Sequence, residues 1–560
     1  MNITFTRKQK ESPIDMASLA NMTKMKGAKA FSEDWWGCSS IEKFADQGDL
    51  FYTHEDAGGW INYLEKFHPR NFWYGDGNTG VWFWYEDYDN WQDTYGADAV
   101  MAVYHSGHGG MDGNGVFYLP MGSNWGGQTT ANSSNMRLGN EQTNYIFLST
   151  CLSLRVLDGH NPIRTWQPAN LGFRMLFGYE TVSVDDSGYG YWFWEEWKTG
   201  KSFSQAWLDA SWYHISTHQA PSVVACGATA DEARNRVFNE RYLDWNHVSS
   251  AYWWWRWYYA ARGAEFTRES NRALPKELLV GELKPVEIDE QHITNIAERY
   301  GVASKFTREA SASDNATFYL KEGPTRLAFR SDGSHEVQLS APNLSNREQI
   351  SLNKAKGIAE NSMGRFGFDQ NVELTFDGVR LSYEAGGNAE AKDRNGAIEG
   401  PYVIETTMQF KQVINGLPII TPGVGNVAVS VDNDGSITSV NCSTRQVASL
   451  SDRPKNTTPA PRTEGRVGAA SEPEGSPFAE PKARDIEGID QLLAEEWQKR
   501  LVSWVIGRKM PLQYTTLPGS TEVGYDIKGN DARLAARKLI EVDFGSGFRK
   551  RYWVVAPILE

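Results

Sequence analysis

A histidine and a cysteine, which together can perform nucleophilic catalysis, each follow an apolar run that the sequence predicts to be a strand. His108 and Gly109 lie in VYHSGHGG, just after the run 99–104, and Cys151 follows the run 145–149. In open α/β sheets functional groups gather beyond the carboxyl ends of strands, so we expect these groups to meet there. A thiolate is the attacking form of cysteine, and an imidazole takes its proton or stabilises the anion. Gly109 leaves room for a substrate, and its N–H can hold a developing oxyanion.

A strand that ends in His-Gly, followed by a strand that ends in Cys, resembles the caspase-like cysteine peptidases: caspases, metacaspases, legumain, gingipains and clostripain. The resemblance covers residues of about 95–230 and departs from the caspase pattern at the cysteine, which lies in STCLS rather than in a Gln-Ala-Cys pentapeptide. It implies that His108 is the catalytic histidine and Cys151 the nucleophile, with the N–H groups of Gly109 and Cys151 as oxyanion donors. It also implies a cysteine endopeptidase that acts on protein or peptide substrates through a thioester acyl-enzyme and needs no metal or other cofactor.

Members of this group build their specificity pocket near the cysteine strand and the strand after it. Here the next strand-like stretch, 175–184, ends in Asp185 and Asp186. Carboxylates at the base of a pocket would attract Arg or Lys through charge-assisted hydrogen bonds, so cleavage after a basic residue is expected. An ordinary acidic turn is an equal alternative for this pair. Asp112 is a further candidate for lining the site, with an exposed turn as its alternative, and His105 either lines the site or packs.

Other histidines and a second cysteine leave alternatives open. His105 and His108 are three apart and His214 and His218 four apart, so a zinc-dependent hydrolase is conceivable. His105 and His108, however, lie in a glycine-rich segment at the end of a predicted strand rather than on a helix. Cys226, in VVACGA, also ends an apolar run and is a rival nucleophile, although core packing is the favoured interpretation.

Aromatic runs raise a third possibility, a non-catalytic binding protein. WWG, VWFWYEDYDNW, YGYWFWEEW and AYWWWRWYY could form a platform on which sugars stack, but such residues more often pack a core. We favour packing.

The bulk composition limits the class of protein. A chain of 560 residues predicts two to four domains. With 70 acidic and 56 basic residues the net charge is −14, which argues against nucleic acid as a partner. The sequence contains no run of about 18 apolar residues, so no membrane span is predicted. The start lacks an apolar signal segment, and the four cysteines are too scattered for a disulfide framework, so a cytoplasmic protein is expected unless a leader was removed.

The tryptophans are unevenly distributed, with 19 of the 22 before residue 270. This asymmetry indicates at least two unlike domains. After an N-terminal extension (1–29), residues 30–270 alternate apolar runs (99–104, 145–149 and 222–226) with helical stretches. This pattern predicts an α/β peptidase domain with a mostly parallel sheet flanked by helices, the fold that the resemblance also implies.

The remainder predicts smaller α+β units. Residues 271–447 combine a helix with alternating strands, 448–485 have the composition of a flexible linker, and 486–560 form a C-terminal module with a helix and two strands. Within 340–445, ISLNKAKGIA and the stretch with NGLPII resemble the propeptide modules of thermolysin-like and fungalysin proteases. This implies a C-terminal region that inhibits or chaperones the peptidase, with a targeting module as the alternative. The linker contains Arg453, Arg462, Arg466 and Arg484, so a basic-specific protease could cut it.

Overall fold

The computed structural model describes residues 11–14, 34–88, 90–261, 274–275, 277–303, 311–312, 317–368, 372–391, 398–451, 486–507 and 513–558. Most of the expected N-terminal extension and residues 452–485 of the expected linker, with its four arginines, lie outside these ranges. None of the described helices is long and apolar enough to cross a membrane.

The helices and strands of the described residues are these. The α-helices are α1 Thr53–Leu64, α2 Trp91–Thr94, α3 Pro162–Trp166, α4 Tyr189–Trp197, α5 Phe203–Asp209, α6 Ala230–Asn239, α7 Glu290–Arg299, α8 Leu352–Arg365 and α9 Ile486–Gly507, and a π-helical turn, Ala210–Ile215, extends α5. Three short 3₁₀ turns lie at Asp76–Asn78, Val81–Phe83 and Ala97–Ala99. The first ten strands are β1 Trp36–Ser40, β2 Phe72–Gly75, β3 Ala102–Ser106, β4 Gly110–Met111, β5 Phe117–Trp125, β6 Gln128–Asn132, β7 Tyr145–Ser149, β8 Met175–Tyr179, β9 Pro221–Gly227 and β10 Tyr252–Ala260. The next eleven are β11 Val280–Leu283, β12 Ser311–Ala312, β13 Thr317–Glu322, β14 Thr325–Arg330, β15 His335–Gln338, β16 Glu373–Asn388, β17 Ile398–Ile414, β18 Leu417–Pro418, β19 Asn426–Asp432, β20 Ile437–Cys442 and β21 Val447–Ser451. The last four are β22 Gln513–Thr516, β23 Glu522–Lys528, β24 Asp531–Gly545 and β25 Phe548–Pro557.

Five parallel strands, in the order β2-β1-β3-β7-β8, form the part of the sheet that positions the candidate site. Every residue of β1, β3, β7 and β8 is buried, which explains why these strands are continuous apolar runs rather than alternating ones. Helices α1, α4 and α5 cover one face, where Trp60 and Trp207 pack on Tyr104 and Phe147, and Trp194 packs on Trp60.

The chain is mixed α/β, built on one large mixed sheet. The expected parallel arrangement of the run 222–226 is wrong, because β9 pairs antiparallel with β8 and with β10. A continuous apolar run shows burial on both faces but does not fix strand direction. Beyond β10 the same sheet continues antiparallel through β16 and β17 to β12, so it extends into the region 271–447.

A second sheet carries the C-terminal module. Its order is β21-β11-β24-β22, with β23 and β25 also paired with β24. The expected linker boundary at residue 448 is therefore wrong, since β21 extends to Ser451 and pairs with β11. We call β24 and β25, with their two-residue turn Ser546-Gly547, the C-terminal hairpin.

The aromatic runs mainly build the core. Twelve of the 22 tryptophans are fully buried, eleven of them before residue 260. Large aromatic side chains bury the most area per residue, so these buried tryptophans stabilise the packing on both faces of the sheet.

Candidate active site

The two candidate catalytic segments leave neighbouring parallel strands at the same edge. Strands β3 and β7 pair in register up to Ser106 and Ser149. Immediately beyond them the backbones of Gly109 and Cys151 approach closely, because a Cβ on Gly109 would lie 2.5 Å from the carbonyl oxygen of Cys151. Only glycine fits this approach, so the glycine after His108 has a packing reason as well as the expected functional one.

His108 is a fully buried, neutral imidazole. Its Nε2 lies 3.0 Å from the carbonyl oxygen of Gly48, and since a carbonyl only accepts, Nε2 carries the ring proton. Nδ1 therefore holds the lone pair, and among the described residues it has no hydrogen-bond partner. Burial, reinforced by the positive charge of Lys550, lowers the pKa of His108 to about 3. This is the protonation state that a general base requires.

Cys151 is also fully buried, and its sulfur contacts Ser183. The Ser183 N–H lies 3.3 Å and its Oγ 3.4 Å from Sγ. Among the described residues the hydrogen bonds of the thiol are to Ser183, and none joins Sγ to His108. The structure thus places both side chains at one edge of the sheet without a bond between them.

Two carboxylates follow Ser183 in the chain, the buried Asp185 and the half-buried Asp186. Asp185 accepts a 2.9 Å hydrogen bond from the Phe51 N–H, and Asp186 accepts one of 2.8 Å from Gly188 N–H. Burial raises the pKa of both carboxyls, that of Asp186 to about 6. A third carboxylate, Asp56, accepts 2.7 Å bonds from Tyr104 and Ser106 of β3. Because it belongs to helix α1, far away in sequence, the sequence analysis missed it.

The other two lining candidates have structural partners. His105 packs edge-on against Trp84, with ring centroids 5.6 Å apart, and its Nδ1 lies 2.7 Å from Ser39 Oγ. Burial lowers the pKa of His105 to about 3. Asp112 accepts 2.9 Å bonds from the N–H groups of Asn114 and Val116, the pattern of a turn-forming aspartate.

A pocket remains open at this turn. It measures about 530 Å³ and lies between Asp112 and the tip of the C-terminal hairpin, with Tyr118, Gly547 and Phe548 in its wall. Asp112 therefore both forms a turn and borders a cavity next to the His-Gly segment.

The C-terminal hairpin covers the candidate site. Phe44 and Phe544 hold the His108 ring between them, each with a centroid distance of 4.7 Å, and Phe548 lies 6.3 Å from it. A Cβ on Gly48 would lie 2.3 Å from the Phe544 ring, so the hairpin is seated against the loop that holds His108. By contrast, the region 340–445 continues the sheet from β10, which β8 and β9 separate from β7. The cover is thus the C-terminal module.

Lys550 is the functional candidate that sequence reasoning missed. Its side chain is 2 % exposed, and Nζ donates a 3.2 Å hydrogen bond to Ser183 Oγ, the same serine that contacts Cys151. In β25 buried and exposed residues alternate, and Lys550 occupies an inward position. This alternation was the signal: period two in the run FRKRYWVV puts one cation on the apolar face.

The histidine pair 214 and 218 is separated by different partners. His214 Nε2 lies 2.6 Å from Glu196, whereas His218 packs at 5.9 Å from Trp553. In the described part of the chain, one group of three carboxylates is close enough to share an ion: Glu196, Asp209 and Glu336. The Lys201 ammonium lies 2.5–2.7 Å from all three, so a cation already occupies its centre.

Cys226, the rival nucleophile, lies at the opposite edge of the sheet. Because β9 runs antiparallel to β8, the end of β9 lies beside the start of β8. The thiol accepts a bond of 3.2 Å from the Asn170 amide, and burial raises its pKa. Cys226 is therefore a core residue.

A serine, a histidine and an aspartate also meet at the end of β1. Ser40 Oγ lies 2.7 Å from His54 Nδ1, and His54 Nε2 lies 3.4 Å from Asp76. Ser40, however, is fully buried and its hydroxyl accepts a bond of 2.8 Å from Trp73. The spacing of these residues along the chain carries no motif, and the hydroxyl is not presented to a substrate.

The comparison with protein families concerns the part of the chain that holds this site. Residues 17–259 are similar to DUF6345, a domain of unknown function. The match includes His108 and Cys151 and ends within β10, so it excludes the C-terminal hairpin. No curated protein matches the chain closely enough to count as a relative.

Proposed function

We propose that the protein is a cysteine endopeptidase of the caspase-like kind, carried by residues 34–261, whose activity is restrained to a low basal rate by its C-terminal module. The observation that carries the proposal is the placement of a buried thiol and a neutral imidazole with an unbonded Nδ1 beyond the ends of adjacent parallel strands. The five-stranded parallel part of the sheet is compatible with a caspase-like arrangement.

The proposed reaction uses groups already in place. The proton of the Cys151 thiol passes to His108 Nδ1 as sulfur attacks a peptide carbonyl carbon, and the Nε2–H bond to Gly48 keeps the ring in the required tautomer. The N–H groups of Gly109 and Cys151 would stabilise the oxyanion. The leaving amine takes the proton from His108, and water then hydrolyses the thioester. For this, the Cys151 side chain must turn from Ser183 towards His108.

The two alternative functions have less support. In a zinc hydrolase His214 and His218 would share one ion, but each has its own partner, Glu196 and Trp553 respectively. A sugar-binding platform would need exposed rings, and the aromatic runs are largely buried.

A fluorogenic peptide panel tests the proposal. Peptides with Arg, Lys, Asp or Asn before the cleaved bond are incubated with the wild type, Cys151→Ala and Ser40→Ala. Hydrolysis by the wild type and Ser40→Ala, and its loss in Cys151→Ala, would support the proposal. Equal rates in the wild type and Cys151→Ala would contradict it.

A further inference from the structure

The burial of Lys550 needs an explanation that fold stability does not provide. Its neighbours on the inward face of β25 are Phe548, Tyr552 and Val554, all buried. Burying an ammonium costs several kcal/mol unless its charge is compensated, and an apolar side chain of similar volume would fill the space without that cost. A lone cation on an apolar face therefore indicates recognition by what lies opposite.

What lies opposite is the candidate catalytic edge. Lys550 Nζ bonds to Ser183 Oγ, and Ser183 in turn contacts the Cys151 sulfur. The ammonium counteracts the rise that burial causes in the pKa of Asp185, which places its charge near that carboxylate. The cation is thus bonded to the serine that contacts the nucleophile, and this serine lies two positions before the acidic residue expected at the base of the pocket.

The backbone of β25 pairs with this edge through one β-bridge. Arg551 N–H donates a 3.1 Å hydrogen bond to the Ser183 carbonyl, and Asp185 N–H donates one of 2.8 Å to the Arg551 carbonyl. These two bonds form a parallel bridge between Arg551 and Val184. Addition of an extended segment to an exposed edge, with alternate side chains in pockets, is a common mode of peptide recognition.

We propose that β25 occupies the substrate-binding cleft as an internal substrate mimic, with Lys550 in the pocket that receives the Lys or Arg side chain of a protein substrate. The inference rests on the proposed peptidase function and adds to it a substrate class and a means of inhibition. Phe544 and Phe548 complete the cover, because their rings lie against His108 and exclude a substrate from it.

The test uses the full-length protein with Lys550→Ala, the conservative variant Lys550→Arg and the control Arg549→Ala. Arg549 is the adjacent basic residue of β25, but it is exposed. Two quantities are measured: the rate of Cys151 alkylation by iodoacetamide, followed by peptide mass spectrometry, and hydrolysis of the fluorogenic panel. The first reports access to the site without requiring any activity.

We expect Lys550→Ala to raise both rates about tenfold or more, as a shift of 1.4 kcal/mol in the cover equilibrium would, and the control Arg549→Ala to stay near the wild type. Lys550→Arg keeps the positive charge and should raise both rates less than Lys550→Ala does. The uncovered variant should hydrolyse Lys and Arg peptides in preference to Asp and Asn peptides. Adding Asp185→Asn should weaken that preference.

Three results would overturn the inference, in distinguishable ways. If Lys550→Ala matches the wild type in both rates, β25 does not close the cleft through this side chain. If activity rises with a preference for Asp or Asn, Lys550 does not mimic the substrate. If alkylation rises while no peptide is hydrolysed, the proposed peptidase function fails and the substrate assignment fails with it, although the hairpin still covers Cys151.

Discussion

Removal of one ring from the cover should expose the site by a measurable amount. Phe544 is 7 % exposed, and its ring lies 4.7 Å from that of His108. The same ring also packs within its own module, at 6.0 Å from Trp504. The variant Phe544→Ala therefore removes contacts on both sides, and only those across the cleft affect closure.

The size of the effect follows from these contacts. Phe→Ala in a core costs about 3–5 kcal/mol, of which we assign about half, or about 1.5–2.5 kcal/mol, to contacts across the cleft. With tenfold per 1.4 kcal/mol, the population of open molecules should rise about ten- to seventyfold. When opening and closing are faster than labelling, the labelling rate of a buried group follows this population.

The assay is the time course of iodoacetamide labelling at Cys151. The other three cysteines are also buried and report global unfolding in the same sample: Cys38, Cys226 and Cys442. Val555→Ala is the matched control, because Val555 lies on β25 but is 46 % exposed. Cys151 labelling that stays at the wild-type rate, or that rises only in step with the other cysteines, would refute the cover.

Three further predictions concern backbone approach, buried charge and pH. Gly109→Ala places a Cβ 2.5 Å from a backbone carbonyl oxygen, so it should lower Tm and reduce peptide hydrolysis about a hundredfold. The control is Gly113→Ala, whose Cβ meets nothing within 4 Å and which should match the wild type in both assays. Lys201→Met removes the ammonium that three buried carboxylates share, although each keeps an arginine partner, and should cost about 3 kcal/mol in urea unfolding. Lys499→Met, at a side chain 72 % exposed, should change the unfolding free energy by less than about 0.5 kcal/mol. Equal costs would contradict the role of the charge cluster. Burial holds the pKa of His108 at about 3 while the hairpin is closed, against about 6.5 when the imidazole is exposed. The closed state is therefore most stable above pH 6.5 and loses about 2 kcal/mol of stability by pH 5. Hydrogen exchange of the hairpin, corrected for intrinsic rates, should accelerate as the pH falls, and protection that does not change with pH would contradict this.

The sequence was most informative about the buried parallel strands. The runs 99–104 and 145–149 are continuous apolar segments because both faces of β3 and β7 are covered, and their ends locate His108 and Cys151 at one edge. The run 222–226 has the same pattern in an antiparallel strand, since burial alone determines the pattern.

The cover could not be predicted in the same way. Lys550 and Ser183 are separated by 367 positions, and Phe544 is still further from His108, so no local pattern relates them. Only the inward position of Lys550 in an alternating strand indicated that it has an unusual environment. The turn at Asp112 follows from aspartate chemistry, whereas the contact of His105 with Trp84 depends on the tertiary structure.

The central claim is tested most directly by peptide hydrolysis in the Lys550→Ala protein with and without Cys151→Ala. The account predicts cleavage after Lys or Arg by Lys550→Ala and none above background by the double variant. Cleavage that persists without the Cys151 thiol would contradict it.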